Sequence, residues 1–340
     1  MKQFKSIQHL RQACTEIPSK DDDAAQATYN HQKTLLKPPG SLGELENLVA
    51  WLASWQRKTT PTLNRVCIIV FAGNHGVTEE NVTPYDPVIT QMMINQMNQG
   101  HAAINQLANT ANAELRIIPV HDLKPTQNIC KYPAMSEEEF LKAVETGYNA
   151  VTPNIDLLCL GEVGIGNTTI AAALSAALFG GDGAQWVSKG TSTGADHVAN
   201  KQNAVNSALA LHKDILEDPL EVCRHLGGYE HAALLGAALA ARHLNIPVIL
   251  DGFVCTSAVA ALQRLNPTGL DHTKISHLSA EKGHLLLAGN LNLYPLVAFN
   301  MRLGEGSGAA LVIPIFQGAL ACYTGMSRYK DAGLPPNQGS

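Results

Sequence analysis

Two glutamates stand in loops whose neighbours are glycines. Glu162 lies in LGEVGIGNTT (160–169) and Glu305 in LGEGSGAA (303–310). A structural turn would take Asn or Asp there, whereas a glutamate reaches into whatever space the glycines leave open. Bare backbone on each side would let a planar substrate lie against the acid. A carboxylate in a water-poor pocket has its pKa raised and can accept a proton near neutrality, which is the task of a general base. Taken singly, each glutamate also reads as a cap or a salt-bridge partner.

The segment around Glu162 carries a second chemistry. Gly164 and Gly166 let the backbone approach a ligand, and Asn167, Thr168 and Thr169 then open a helix whose free N–H groups favour an anion. No Gly-Lys-[Ser/Thr] follows, so this is not a triphosphate-binding loop, and the GxGxxG dinucleotide spacing is missing. A monophosphate fits better; a helix-capping turn with packing glycines is the alternative. Further along, Lys201 follows a glycine-rich turn, Gly190–Gly194, and Ser279 sits in SHLSAEKGH (276–284). Each is a candidate anion contact, and each reads equally as a surface lysine or a helix cap.

FAGNHGVTEENVTPYDPVITQMM (71–93) brings Asn74 and His75 off a strand end and then Tyr85, Met92 and Met93. His75 suits a general base, a metal ligand or a histidine satisfied by backbone bonds, and no second His or carboxylate stands at ligand spacing. Tyr85 to Met93 reads as the wall of a flat apolar pocket or as ordinary core. DGFVCTSAV (251–259) offers Asp251, Cys255, Thr256 and Ser257 without a GxSxG elbow, so it reads as a substrate-facing loop and not as a nucleophile.

Side chains so scattered must be positioned by a sheet. RVCIIVFAG (65–73), ELRIIPVHD (114–122), IDLLCLGE (155–162) and IPVILDG (246–252) are short apolar runs ending in glycine or a polar residue. Ala-rich helical stretches alternate with them. The pattern predicts an α/β fold: a mostly parallel, Rossmann-like sheet with helices on both faces and ligands at the carboxyl ends of its strands. QWVS (185–188) reads as the start of a further short strand. KPPGSLGELENLVAWLASW predicts a helix with Ser41 and Glu44 at capping-box spacing. A helix over roughly 307–325 is expected to pack back on the N-terminal helices. Residues 1–60 with 307–340 would then form a small helical domain, and 61–306 the large α/β domain.

Composition bounds the partners. The 340 residues are 45% apolar and 16% charged with a net charge of −5 and no basic block, which disfavours nucleic acid. No apolar run is expected to reach membrane-spanning length. Seven cysteines without a CxxC pair fit a reducing compartment, and a cytoplasmic location is expected. No internal repeat is present.

In order along the chain stand KPPGSLGELE (37–46), FAGNHGV (71–77), GEVGIGNTT (161–169), GGYEHAALLGA (227–237), DGFVCTSA (251–258), HLSAEKGH (277–284) and MRLGEGSGAA (301–310). Together they resemble the nicotinate-nucleotide–dimethylbenzimidazole phosphoribosyltransferase family of cobalamin lower-ligand assembly, from about residue 30 to the last helix. The resemblance implies transfer of phosphoribose from nicotinate mononucleotide to a benzimidazole nitrogen, with no cofactor and no metal. Glu305 then matches the general base and Glu162 a second acid beside the sugar. Gly164, Lys201 and Ser279 fall on the phosphate side, with Gly166, Asn167, Thr168 and Arg302 completing the phosphate and ribose contacts. Asn74, His75, Tyr85, Met92, Met93, Leu303 and Gly304 are expected around the base. The resemblance further implies a homodimer, with no membrane partner. Asn74 stands where the family often has Asp, and the turn KGTSTGAD is longer than usual, so the acceptor could be another benzimidazole, a purine or a phenolic. A non-catalytic nucleotide-binding protein and a nucleotide-dependent oxidoreductase are the competing readings.

Overall fold

The computed structural model describes residues 1–188 and 195–335. Five strands form one parallel sheet in the order β2-β1-β3-β4-β5: β1 Val66–Ala72, β2 Glu114–Pro119, β3 Leu157–Val163, β4 Val248–Leu250 and β5 Thr273–Ile275. Successive side chains on a strand face opposite ways, so β1 divides its apolar run between two cores. Cys67, Ile69 and Phe71 join a core with helices Glu137–Ala150, Asn167–Phe179, Tyr229–His243 and Phe253–Leu265. Val66, Ile68 and Val70 join another with helices Glu44–Gln56, Ala103–Thr110 and Ser307–Gly325. Both faces are covered, which is why these runs read as continuously apolar and not as alternating.

The abundance of small residues has a specific use here. A Cβ on Gly147 would meet the Ala233 carbonyl, and one on Gly236 would meet that of Val144, so helices Glu137–Ala150 and Tyr229–His243 cross with their backbones in contact.

From β1 the chain crosses to β2 on one side and returns to place β3 on the other. In such sheets the crevice at the carboxyl ends opens where the strand order reverses, here between β1 and β3. The register aligns Phe71 with Glu162 and Leu160 with Leu250, so Gly73, Glu162 and Asp251 end neighbouring strands on one edge of that crevice.

Four local expectations are corrected. β5 was not foreseen; its three residues are too few to show a period. Gln185 and Trp186 belong to a single helical turn, Gly183–Trp186, instead of a strand, with Trp186 Nε1 donating to the Gly180 carbonyl at 2.8 Å. Helix Glu44–Gln56 starts from Gly43 at φ 54° with no side-chain cap, while Glu46 reaches back to the Leu42 N–H at 3.1 Å and Lys37 Nζ at 2.6 Å. Helix Ser307–Gly325, contrary to expectation, is long and apolar enough by length and composition to cross a membrane. Its Ala309, Ile313 and Phe316 are buried against the sheet beside Leu48 and Leu52 of helix Glu44–Gln56. The first helix, Ile7–Thr15, packs on the opposite side of the sheet, with Leu10 and Cys14 in the core that holds Phe71.

Candidate active site

A cavity of about 420 Å³ opens over the ends of β3 and β4. Its floor is residues 162–168 and Asp251, one wall is Thr83, Tyr85, Ile89 and Met93, and another is Ser279, Glu281 and 302–305. Lys201 closes it from helix Ala195–Leu211.

β3 delivers Glu162 directly. The side chain is buried, and Asn167 Nδ2 donates to Glu162 Oε2. Burial, followed by the neighbouring Asp251, Glu230 and Glu305 carboxylates, raises its pKa well above the ordinary carboxylate value. Glu305 comes from a different part of the chain and is tied to the same strand, since its N–H donates to the Glu162 carbonyl at 2.8 Å. Its backbone is left-handed at φ 68°, uncommon for a non-glycine residue. The residue is 3% exposed, and among the described residues Oε2 has no hydrogen-bond partner. Burial first, then Asp251, pushes the Glu305 carboxyl up to about 7.

The flanking glycines do something other than leave a slot for a flat ring. A Cβ on Gly304 would lie 2.5 Å from Glu162 Oε1, and Gly306, at φ 77°, lies against Gly161. They allow the 304–306 loop to touch β3 so that two acids from distant parts of the sequence share one pocket.

The residues expected to hold an anion come together on one side of the cavity. Gly164, Gly166, Asn167 and Thr168 line the cavity at the start of helix Asn167–Phe179, with Gly166 at φ 92° as its N-cap. Lys201 is not a surface lysine: it is 4% exposed, and Nζ donates to Thr168 Oγ1 at 3.2 Å. Burial lowers its pKa, and Glu281 opposes this. The Gly190–Gly194 turn lies outside the described residues. Ser279 is held by His284, a role the sequence does not reveal. Thr256 Oγ1 donates to the Gly252 carbonyl at 2.8 Å, so its remaining role toward His284 Nε2, 3.2 Å away, is acceptor. His284 Nδ1 is then the unprotonated nitrogen, receiving the Ser279 N–H at 3.0 Å with Ser279 Oγ also at 3.0 Å. Burial lowers the His284 pKa to about 3, which keeps that tautomer neutral.

Of the residues expected around a base, Tyr85, Met93, Leu303 and Gly304 line the cavity, with Arg302 and Leu303 exposed at its rim. Met92 does not; it is 58% exposed, one position round the helix Val88–Asn98 from Met93. Asn74 and His75 lie behind the wall. Asn74 donates to the Leu123 carbonyl at 3.0 Å and accepts from Thr90 Oγ1 at 2.7 Å; Thr90 Oγ1 in turn accepts the Ile165 N–H at 3.3 Å. His75 Nε2 is 2.8 Å from Glu230 Oε1, and His231 Nδ1 is 2.9 Å from the same oxygen. No partner for His75 was visible in the linear spacing; folding brings Glu230 and His231 to it. Burial works against the charged Glu230, but the two histidines hold its carboxyl far below the ordinary range. Their ligand-type atoms lie within 4.8 Å of one another. Gly73 and Gly228 press against this group so closely that a Cβ on either would collide with it, and one on Gly164 would stand 3.2 Å from His75 Nε2. The cluster is a packed pin joining β1, the Gly164 loop and helix Tyr229–His243.

An open parallel sheet whose switch point sets a glycine-rich helix start and a buried lysine beside two buried acids suits an enzyme acting on a phosphorylated sugar or nucleotide. A family model described as phosphoribosyltransferase matches residues 17–334. Over 331 residues the chain is 52% identical to the nicotinate-nucleotide–dimethylbenzimidazole phosphoribosyltransferase of Mesorhizobium japonicum, covering 97% of this chain and 98% of that protein. It is 45% identical over 325 residues to the enzyme of the same name from Brucella anthropi, covering 96% of each. The crystal structure of the phosphoribosyltransferase of that name from Thermus thermophilus superposes with a TM-score of 0.85 at 33% identity, covering 93% of this chain and 99% of the other. The chain belongs to the nicotinate-nucleotide–dimethylbenzimidazole phosphoribosyltransferase family.

Proposed function

We propose that this protein transfers the phosphoribosyl group of nicotinate mononucleotide to a dimethylbenzimidazole-type base, giving alpha-ribazole phosphate and nicotinate. The observation that carries the reading is Glu305: a buried carboxyl with a free oxygen, facing a cavity whose opposite side is an anion cradle. A ring nitrogen of the acceptor attacks C1′ as the C1′–N bond to the pyridinium breaks. That electron pair returns to the nicotinate nitrogen, which leaves neutral, and the acceptor's N–H proton passes to Glu305. No acid is needed at the leaving group. Glu162 places its carboxyl oxygens near a sugar that becomes cationic in the transition state. The helix start at Asn167, together with Thr168, Lys201 and Ser279, holds the donor phosphate. Tyr85, Ile89 and Met93 form the apolar side against which the acceptor ring lies.

Glu305 must be ionised to act, so turnover should rise with pH through about 7, the value to which its carboxyl is pushed. Incubation with both substrates and chromatography of released nicotinate tests the assignment. Glu305→Gln should lower kcat by roughly a hundredfold or more and remove the pH rise, with donor affinity little changed. A fully active variant would remove Glu305 from its role, and no nicotinate release by the wild type with any benzimidazole, purine or phenolic would leave only nucleotide binding.

We also propose that the protein is a cytoplasmic homodimer. Large exposed apolar side chains support the dimer: Tyr85 and Leu303 at the cavity, Val88 and Met92 on the neighbouring helix, and Phe299 in the segment leading to Glu305. The seven free cysteines support a reducing compartment.

A further inference from the structure

Helix Ser307–Gly325 begins directly after Glu305, and its own N-cap, Gly306, has no side chain with which to cap it. The first amides of a helix need acceptors. They find one in Asp251, at the end of β4. Its Oδ2 accepts the Gly306 N–H at 3.1 Å and its Oδ1 accepts the Ala309 N–H at 3.0 Å. Asp251 is itself fixed at both backbone atoms, its N–H donating to the Leu160 carbonyl at 3.1 Å and its carbonyl accepting from Ser276 Oγ at 2.7 Å. The side chain is 1% exposed, and a Cβ on Gly308 would stand 2.8 Å from Oδ1, so the carboxylate has no alternative place.

We infer that Asp251 is the positioning residue for Glu305: by capping the following helix from a neighbouring strand, it locks the left-handed turn that aims the base into the cavity. This rests on the transferase reading above and adds to it a residue that lies in the cavity floor but gives both carboxylate oxygens to backbone amides. Removing the cap frees the 304–306 loop, and small misplacements of a reacting group are expensive in rate. A second effect follows from charge. Asp251 is the acid whose charge raises the Glu305 pKa, and burial raises its own to about 7. The other titratable groups around the pair are Glu162 and Cys159 from β3, Glu230 from helix Tyr229–His243 and Cys255 from helix Phe253–Leu265. His277, beyond β5, has its Nε2 3.7 Å from Asp251 Oδ1.

Asp251→Asn keeps the shape but offers one acceptor where two amides point, and no charge. In the full-length protein we expect kcat to fall by about 10²-fold with KM for nicotinate mononucleotide within twofold. The rising limb of the kcat–pH profile should move to lower pH, because Glu305 loses a like-charged neighbour. A variant with unchanged kcat, or with a lowered kcat on an unmoved limb, would overturn the inference. Should the variant not fold, the wild type itself answers: the Gly306 and Ala309 amide proton shifts should titrate together with one midpoint, since both donate to one carboxylate. Separate midpoints, or no titration, would overturn it equally. The amide measurement needs no turnover, so an inactive wild type would refute the transferase reading and leave this contact to be judged by itself.

Discussion

At Gly304 the absent side chain decides where Glu162 sits, because any Cβ there would come 2.5 Å from Glu162 Oε1 and 3.1 Å from its carbonyl. Gly304→Ala should therefore displace the second acid without touching the base, lowering kcat by about 10²-fold while the pH midpoint stays near that of the wild type. Steady-state profiles of the two proteins check this, and an alanine variant with full turnover would show that Glu162 need not sit where it does. Glu162 and Glu305 were legible in the sequence because a glutamate between glycines is an odd choice for a turn. Lys201 was named as an anion contact, but its burial over Thr168 was not legible, and neither was the capping role of Asp251, because an aspartate at a strand end reads as a loop until the fold supplies two amides above it. Met92 belongs to the same apolar Tyr85–Met93 stretch as Met93, yet it faces away from the cavity. One residue along a helix turns a side chain by about 100°, which is enough to put it outside.

At the scale of elements, the His75–Glu230–His231 pin joins the end of β1 to helix Tyr229–His243 under the Gly164 loop. Glu230→Gln removes the charge that both imidazoles face. Removing the charged partner from a fully buried contact costs about 3–5 kcal/mol, so chemical denaturation should show a loss of that size. A loss under about 1 kcal/mol would mean that the carboxylate does not hold the two imidazoles in place. The apolar runs of β1 and β3 and the start of helix Asn167–Phe179 could be read directly, because continuous burial and a glycine-rich helix start leave marks on adjacent residues. The pin could not: its members come from distant parts of the sequence, and only the crossover from β3 through β4 brings them together. β5 escaped for a different reason, three residues being shorter than any period can reveal.

For the molecule as a whole, the exposed Val88, Met92, Phe299 and Leu303 predict a partner copy beside the cavity, since apolar patches of this kind rarely stay bare. Sedimentation should give twice the chain mass, and Phe299→Glu should shift it toward the monomer and weaken turnover; a monomeric wild type would refute the dimer. Sequence pattern placed helix Ser307–Gly325 but not its double duty. Its body is wedged between the sheet and helix Glu44–Gln56, and its first residue follows the base. Glu305 is thereby tied to a helix buried against the sheet, while the Tyr85 side of the cavity is a loop and a half-exposed helix. Substitutions at Tyr85, Ile89 and Met93 should consequently change which acceptor is taken while the pH rise near 7 stays where it is, and a preference untouched by all three would put recognition elsewhere.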